Sequence, residues 1–107
     1  TGQYKDGTYT GTGSGFRGNT KVTVTVKNGE ISSITVDSYE DDSQYFNKAK
    51  TSVINSIISS QGIDVSTVSG ATFSSNSIIE AVANALDLQF TNNNEQLASS
   101  GKGHKKR

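Results

Sequence analysis

"TKVTVTVKNGEISSITV", residues 20–36, decides the fold. Val22, Val24 and Val26 alternate with Thr23 and Thr25, the period-two pattern of a strand with one buried and one wet face. Asn28–Gly29 then supplies a tight hairpin, because both residues accept positive φ. On the return strand, "ISSITVDSY", Ile34 and Val36 share a face while Ile31 is out of phase with them. A bulge near Ser32–Ser33 brings Ile31 back to the apolar side.

Upstream, "YKDGTYTGTGSG" carries an Asp-Gly turn signal at Asp6–Gly7 and then a glycine-rich strand from about Thr8 to Gly13. "FRGN" reads as a turn containing Gly18 and Asn19. The first forty residues therefore form a three-stranded antiparallel meander with one apolar face. Gly7, Gly11, Gly13, Gly15 and Gly18 do not follow a strand-to-helix phosphate pattern. They read as strand and turn glycines that let another backbone come close.

Downstream the period changes. Phe46, Ala49, Val53 and Ile57, flanked by Ile54 and Ile58, recur at helical spacing, with Asp42 or Ser43 as N-cap and Gly62 as the stop. An extended polar stretch, "IDVSTVSGAT", leads to a second helix with Ile78, Ile79, Val82, Ala83 and Leu86 on one stripe. Ser77 and Glu80 have capping-box spacing, and Ser74 or Ser75 is an alternative cap. The expected architecture is α+β: a small antiparallel sheet with two amphipathic helices packed on one face. It occupies residues 1–90, and residues 91–107 form a polar, basic C-terminal tail.

The chain has 107 residues and suits one domain. Only 31% of the residues are hydrophobic, so the core is thin. Formal net charge is zero, which gives nucleic acid no electrostatic footprint. The absence of cysteine excludes disulfides and thiolate metal sites and fits a bacterial cell-surface protein. No apolar run reaches the length of a membrane span. Residue 1 is threonine, which reads as a processed or excised chain whose signal or anchor has been removed. Glu40, Asp41 and Asp42 lack the spacing of a calcium loop and read as a solvated lead-in to a helix. His104, the single histidine, has no visible partner for metal binding or catalysis.

Chemistry concentrates in "VSGATFSS", residues 68–75, where hydroxyls and small residues stand at a helix start. The first amides of a helix have no intrahelical partner, and the dipole adds roughly half a positive charge there. Such a terminus receives an anion without Lys or Arg. Gly70 permits close approach, Ala71 keeps the space open, and Ser69 and Thr72 offer hydroxyls. The same residues also serve as ordinary capping chemistry, and spacing alone does not separate the two readings.

Four segments carry a resemblance: "DGTYTGTGSGFRG", "KVTVTVKNGEISSITV", "DDSQYFNKA" and "VSGATFSSNSIIEAV". Over residues 4–86 the chain resembles the FMN-binding domain family. That family includes soluble domains of the sodium-pumping quinone reductase and of Rnf-type complexes, and bacterial cell-surface flavoproteins. Its Ser-Gly-Ala-Thr hallmark falls on Ser69, Gly70, Ala71 and Thr72. The resemblance implies FMN as cofactor, joined by a phosphoester to Thr72 through a separate flavin transferase. It also implies an electron carrier of the cell envelope served by a membrane-bound reductase or other redox protein. Phe73, Tyr45 and Phe16 are the expected ring contacts, and Arg17 the expected partner of an anionic reduced flavin. Phe46, heading the apolar stripe, is expected in the core. One departure stands out. The transferase's usual target has Asp three residues before the hallmark, where this chain has Ser66, with Asp64 the nearest acid. That substitution keeps an alternative open: noncovalent FMN, or a cofactor-free surface module for protein contacts.

Overall fold

The computed structural model describes residues 4–14, 18–40 and 43–88. Element order is β1 (Gly7–Ser14), β2 (Asn19–Lys27), β3 (Glu30–Ser38), α1 (Ser43–Ser60) and α2 (Thr72–Ala85). The strands form one antiparallel sheet in the order β1-β2-β3. Both helices lie on its apolar face, giving the small α+β fold expected from the sequence. The expected C-terminal tail, residues 91–107, lies outside the described residues.

The hairpin at Asn28 and Gly29 has φ of 58° and 79°, the paired positive values of a type I′ turn. Asp6 does not turn the chain into β1. Its carboxylate instead accepts the amides of Asn28, at 3.0 Å, and Gly29, at 2.7 Å, tying the N-terminal segment to the hairpin tip. The bulge falls where the valine and isoleucine phases demand it. Thr25 pairs with Ser33 and Val26 with Ile31, so Ser32 is passed over and Ile31 and Ile34 both face the core.

Helix α1 buries Phe46, Ala49, Val53 and Ile57. The Tyr39 ring lies flat on Phe46, with centroids 4.0 Å apart and planes at 2°. The helix stops one residue before the expected glycine. Gln61 takes the left-handed position, at φ 58°, and the Gly62 amide reaches back to the Ile57 carbonyl at 3.3 Å. Gln61 holds that conformation because its side chain is engaged. Its Oε1 accepts the Ile31 amide at 2.6 Å, and its Nε2 donates to the carbonyls of Ile31, at 3.0 Å, and Ile58, at 2.7 Å. The amide group thus closes the backbone of β3 beside the bulge.

Helix α2 departs further from the expected stripe. Ser74, Ser75, Asn76, Ser77, Ile78, Ile79, Ala81, Val82, Ala83 and Ala85 are all buried. Its serines do not cap it but lie inside it, where their hydroxyls bond backwards: Ser75 Oγ to the Ala71 carbonyl at 2.8 Å and Ser77 Oγ to the Ser74 carbonyl at 2.8 Å. Ser77 Oγ also accepts from Thr20 Oγ1 at 3.0 Å, linking α2 to β2. Glu80 forms no capping box with Ser77. It accepts the Ser14 amide at 2.7 Å, while Asn84 Nδ2 donates to the Thr12 carbonyl at 2.6 Å, so α2 covers backbone groups of the edge strand β1.

The contact between α2 and β1 is backbone on backbone. A Cβ added at Gly11 would lie 2.0 Å from the Ala81 oxygen, and one at Gly13 would lie 2.1 Å from the Ser77 oxygen. These glycines allow close approach, as read from their position in the strand, and the facing Ser77, Ala81 and Ala85 are correspondingly small.

Candidate functional site at the mouth of the second helix

Residues 68–71 form a β-turn closed by the Ala71 amide and the Val68 carbonyl at 2.9 Å. Gly70 occupies the third position with φ 83°, and Ser69 is not among the positive-φ residues, which defines a type II turn. The geometry explains the glycine: an L side chain is strained there. Ser75 braces the turn from below, its buried Oγ accepting the Val68 amide at 2.9 Å while donating to Ala71.

The helix begins at Thr72, with Ala71 as N-cap, and no side chain caps it. Alanine is a poor capping residue because it has no acceptor for the first amides. The ordinary capping reading therefore does not account for this turn. The first turn of α2 carries no acidic residue that would complement the dipole.

Ser69 and Gly70 are exposed, Ala71 is buried, and Thr72 and Phe73 are half-buried. Among the described residues none hydrogen-bonds the Thr72 hydroxyl. The turn thus opens to solvent, with a hydroxyl available at its rim. Tyr45, 47% exposed, lies on the outer side of α1, whereas Phe46 is fully buried, so the division of these two aromatics follows the stripe. Phe16 and Arg17 lie outside the described residues. The sequence reading missed two contributors. Ser75, expected as a cap, is the brace of the turn. Lys48, on α1, brings its ammonium to Gly70: a Cβ built on that glycine would have Lys48 Nζ 3.4 Å away and no other heavy atom beyond its chain neighbours within 4 Å.

An uncapped helix mouth, an open glycine turn, a hydroxyl and a nearby ammonium suit the phosphate end of a nucleotide cofactor, and the small α+β scaffold is a module for holding one. Comparison with known proteins identifies which. Residues 15–87 match the family model of the FMN-binding domain, and the chain belongs to that family. It is similar to the NADH:acrylate oxidoreductase of Vibrio harveyi, 35% identical over 86 residues, covering 80% of this chain and 9% of that protein. It is also similar to an uncharacterized protein of Treponema pallidum (strain Nichols), 37% identical over 84 residues, covering 78% of this chain and 23% of that protein. The chain spans about a tenth and about a quarter of the lengths of these two relatives.

The chain is accordingly a flavin-binding domain with FMN as its cofactor. The mouth of α2 fits the cofactor's anionic end: the Ser69–Gly70 backbone is open, and no protein side chain occupies the cap. FMN supplies the redox chemistry, and the protein supplies binding, orientation and electrostatics. Among the described residues, no group of three or more His, Cys, Asp or Glu could hold a metal, and no helix is long and apolar enough to cross a membrane.

Proposed function

We propose that this chain is an electron-carrier domain of the bacterial cell envelope, with FMN joined by a phosphoester to Thr72. It takes electrons from a membrane-bound reductase or another redox protein and passes them to an acceptor. The carrying observation is the Ser69–Thr72 turn, which presents a hydroxyl unbonded among the described residues beside an uncapped helix terminus. The similarity to an NADH:acrylate oxidoreductase supports a place in an electron-transfer chain. A flavin transferase makes the bond from a flavin dinucleotide. The Thr72 oxygen bonds to the flavin-side phosphorus, the pyrophosphate bond breaks, the nucleoside monophosphate leaves, and the hydroxyl proton passes to solvent. The diester left behind keeps one negative charge facing the amides of the helix start.

Co-expression with a flavin transferase should give yellow protein. Its denatured mass should exceed that of the bare chain by one FMN minus water, and Thr72→Ala should lack the increment. An increment that survives in the mutant removes Thr72 from this role. Ser66, exposed where the transferase's usual target has Asp, favours a second reading in which FMN is held without a covalent bond and the domain serves protein contacts. In that case the wild type gains colour in FMN solution and loses it on denaturation and desalting.

A further inference from the structure

We propose that Lys48 is the cationic partner of the FMN phosphate and makes the site selective for phosphorylated over unphosphorylated flavins. The inference rests on the reading of the Ser69–Thr72 turn as the phosphate site. Lys48 lies on α1 between the buried Phe46 and Ala49, and its exposed side chain crosses to the turn that opens α2. A cation in that place is electrostatically out of order. The start of a helix already carries positive potential, which favours an anion and opposes an ammonium. Here no carboxylate offsets the two: the first turn of α2 has no acidic residue, and no described carboxylate forms an ion pair with Lys48. Ser66, where an acid would add negative charge close by, is neutral.

Two positive sources converging on an open glycine turn are mutually unfavourable until an anion sits between them. A phosphate monoester supplies up to two negative charges and satisfies both the amides and the ammonium, whereas the ring and ribityl chain need neither. Lys48 also stands three residues beyond Tyr45, which makes the two neighbours on the α1 surface. A flavin whose phosphate is held at Lys48 thus has an exposed aromatic side chain on the adjoining helical turn.

The test titrates the full chain, purified without flavin transferase, with FMN and separately with riboflavin, following flavin fluorescence. Lys48→Gln should weaken FMN binding roughly five- to tenfold, the size of one charge-assisted contact at a partly exposed site, and leave riboflavin unchanged. Lys48→Arg should retain most of the FMN affinity. The preference of the wild type for FMN should shrink at about 1 M salt, where the screening length falls to about 3 Å. Thermal denaturation of Lys48→Gln should match the wild type, since the side chain is exposed. Unchanged FMN affinity in Lys48→Gln, equal loss for FMN and riboflavin, or no saturable FMN binding by the wild type would each overturn the assignment. The FMN-minus-water increment at Thr72 is read independently, so a failure at Lys48 and a failure of the attachment reading give different results.

Discussion

Adding one methyl group at Gly11 or Gly13 should be among the most damaging changes this domain can suffer. At Gly11 the new Cβ would stand 2.0 Å from the Ala81 oxygen, 2.4 Å from the Ala85 nitrogen and 3.0 Å from the Ala85 Cα. At Gly13 it would stand 2.1 Å from the Ser77 oxygen and 2.8 Å from the Ala81 nitrogen. All of these are backbone atoms of α2, so no side chain can rotate away. To reach ordinary contact at about 3.5 Å, the helix has to retreat from β1 by about 1.5 Å. A gap of 0.5 to 1 Å already forfeits roughly a quarter to a half of a dispersion contact. That retreat would loosen Ile78, Ile79 and Val82 in the core and stretch the Asn84–Thr12 and Glu80–Ser14 hydrogen bonds. The cost belongs at the top of the overpacking range, about 3 kcal/mol, and should lower Tm by about 12–25 °C. Urea and thermal denaturation followed by circular dichroism read it directly. Gly62→Ala is the matched control, because nothing lies within 4 Å of its added Cβ and its φ is not positive, so it should be neutral or slightly stabilising. Truncating Ala81 to glycine should not rescue Gly11→Ala, since the clash is with backbone. Gly11→Ala and Gly13→Ala within about 0.5 kcal/mol of wild type would refute the close helix–strand contact and the placement of α2 on β1.

Two further outcomes follow from the same geometry. Ser75→Ala removes the hydroxyl that joins the Val68 amide to the Ala71 carbonyl, so it should cost about 1–2 kcal/mol in urea denaturation and also slow FMN incorporation in the mass assay. A stability loss without any effect on incorporation would separate the brace from the site. Gln61→Ala loses three side-chain hydrogen bonds yet keeps a left-handed backbone, whereas Gln61→Gly loses the same bonds and relieves the backbone. The alanine variant should therefore be less stable than the glycine variant by about 1 kcal/mol, and the reverse order would show that conformational strain is absent at this cap.

The strands, the Asn28–Gly29 hairpin, the bulge and the two helices were legible because each depends on neighbours in sequence. Alternating valines bury one face, Asn-Gly accepts positive φ, and the out-of-phase Ile31 requires one extra residue in β3. The Ser-Gly-Ala-Thr stretch was legible as an anion-receiving turn for the same reason, and its left-handed Gly70 agrees with the choice of glycine. Tertiary contacts decided the rest. Ser74, Ser75 and Ser77 read as caps, because a hydroxyl before an apolar run usually serves the first amides. Packed against the sheet and α1, they instead sit inside α2, with their hydroxyls satisfied by backbone carbonyls, the Val68 amide and Thr20. The sequence allowed close approach at Gly11 and Gly13 but not which helix would approach. Nor does any local pattern bring Lys48 to Gly70, twenty-two positions later. Periodicity and turn chemistry act over a few residues, so the chain alone specified its elements and the turn. The crossing of two helices over one sheet determined what surrounds that turn.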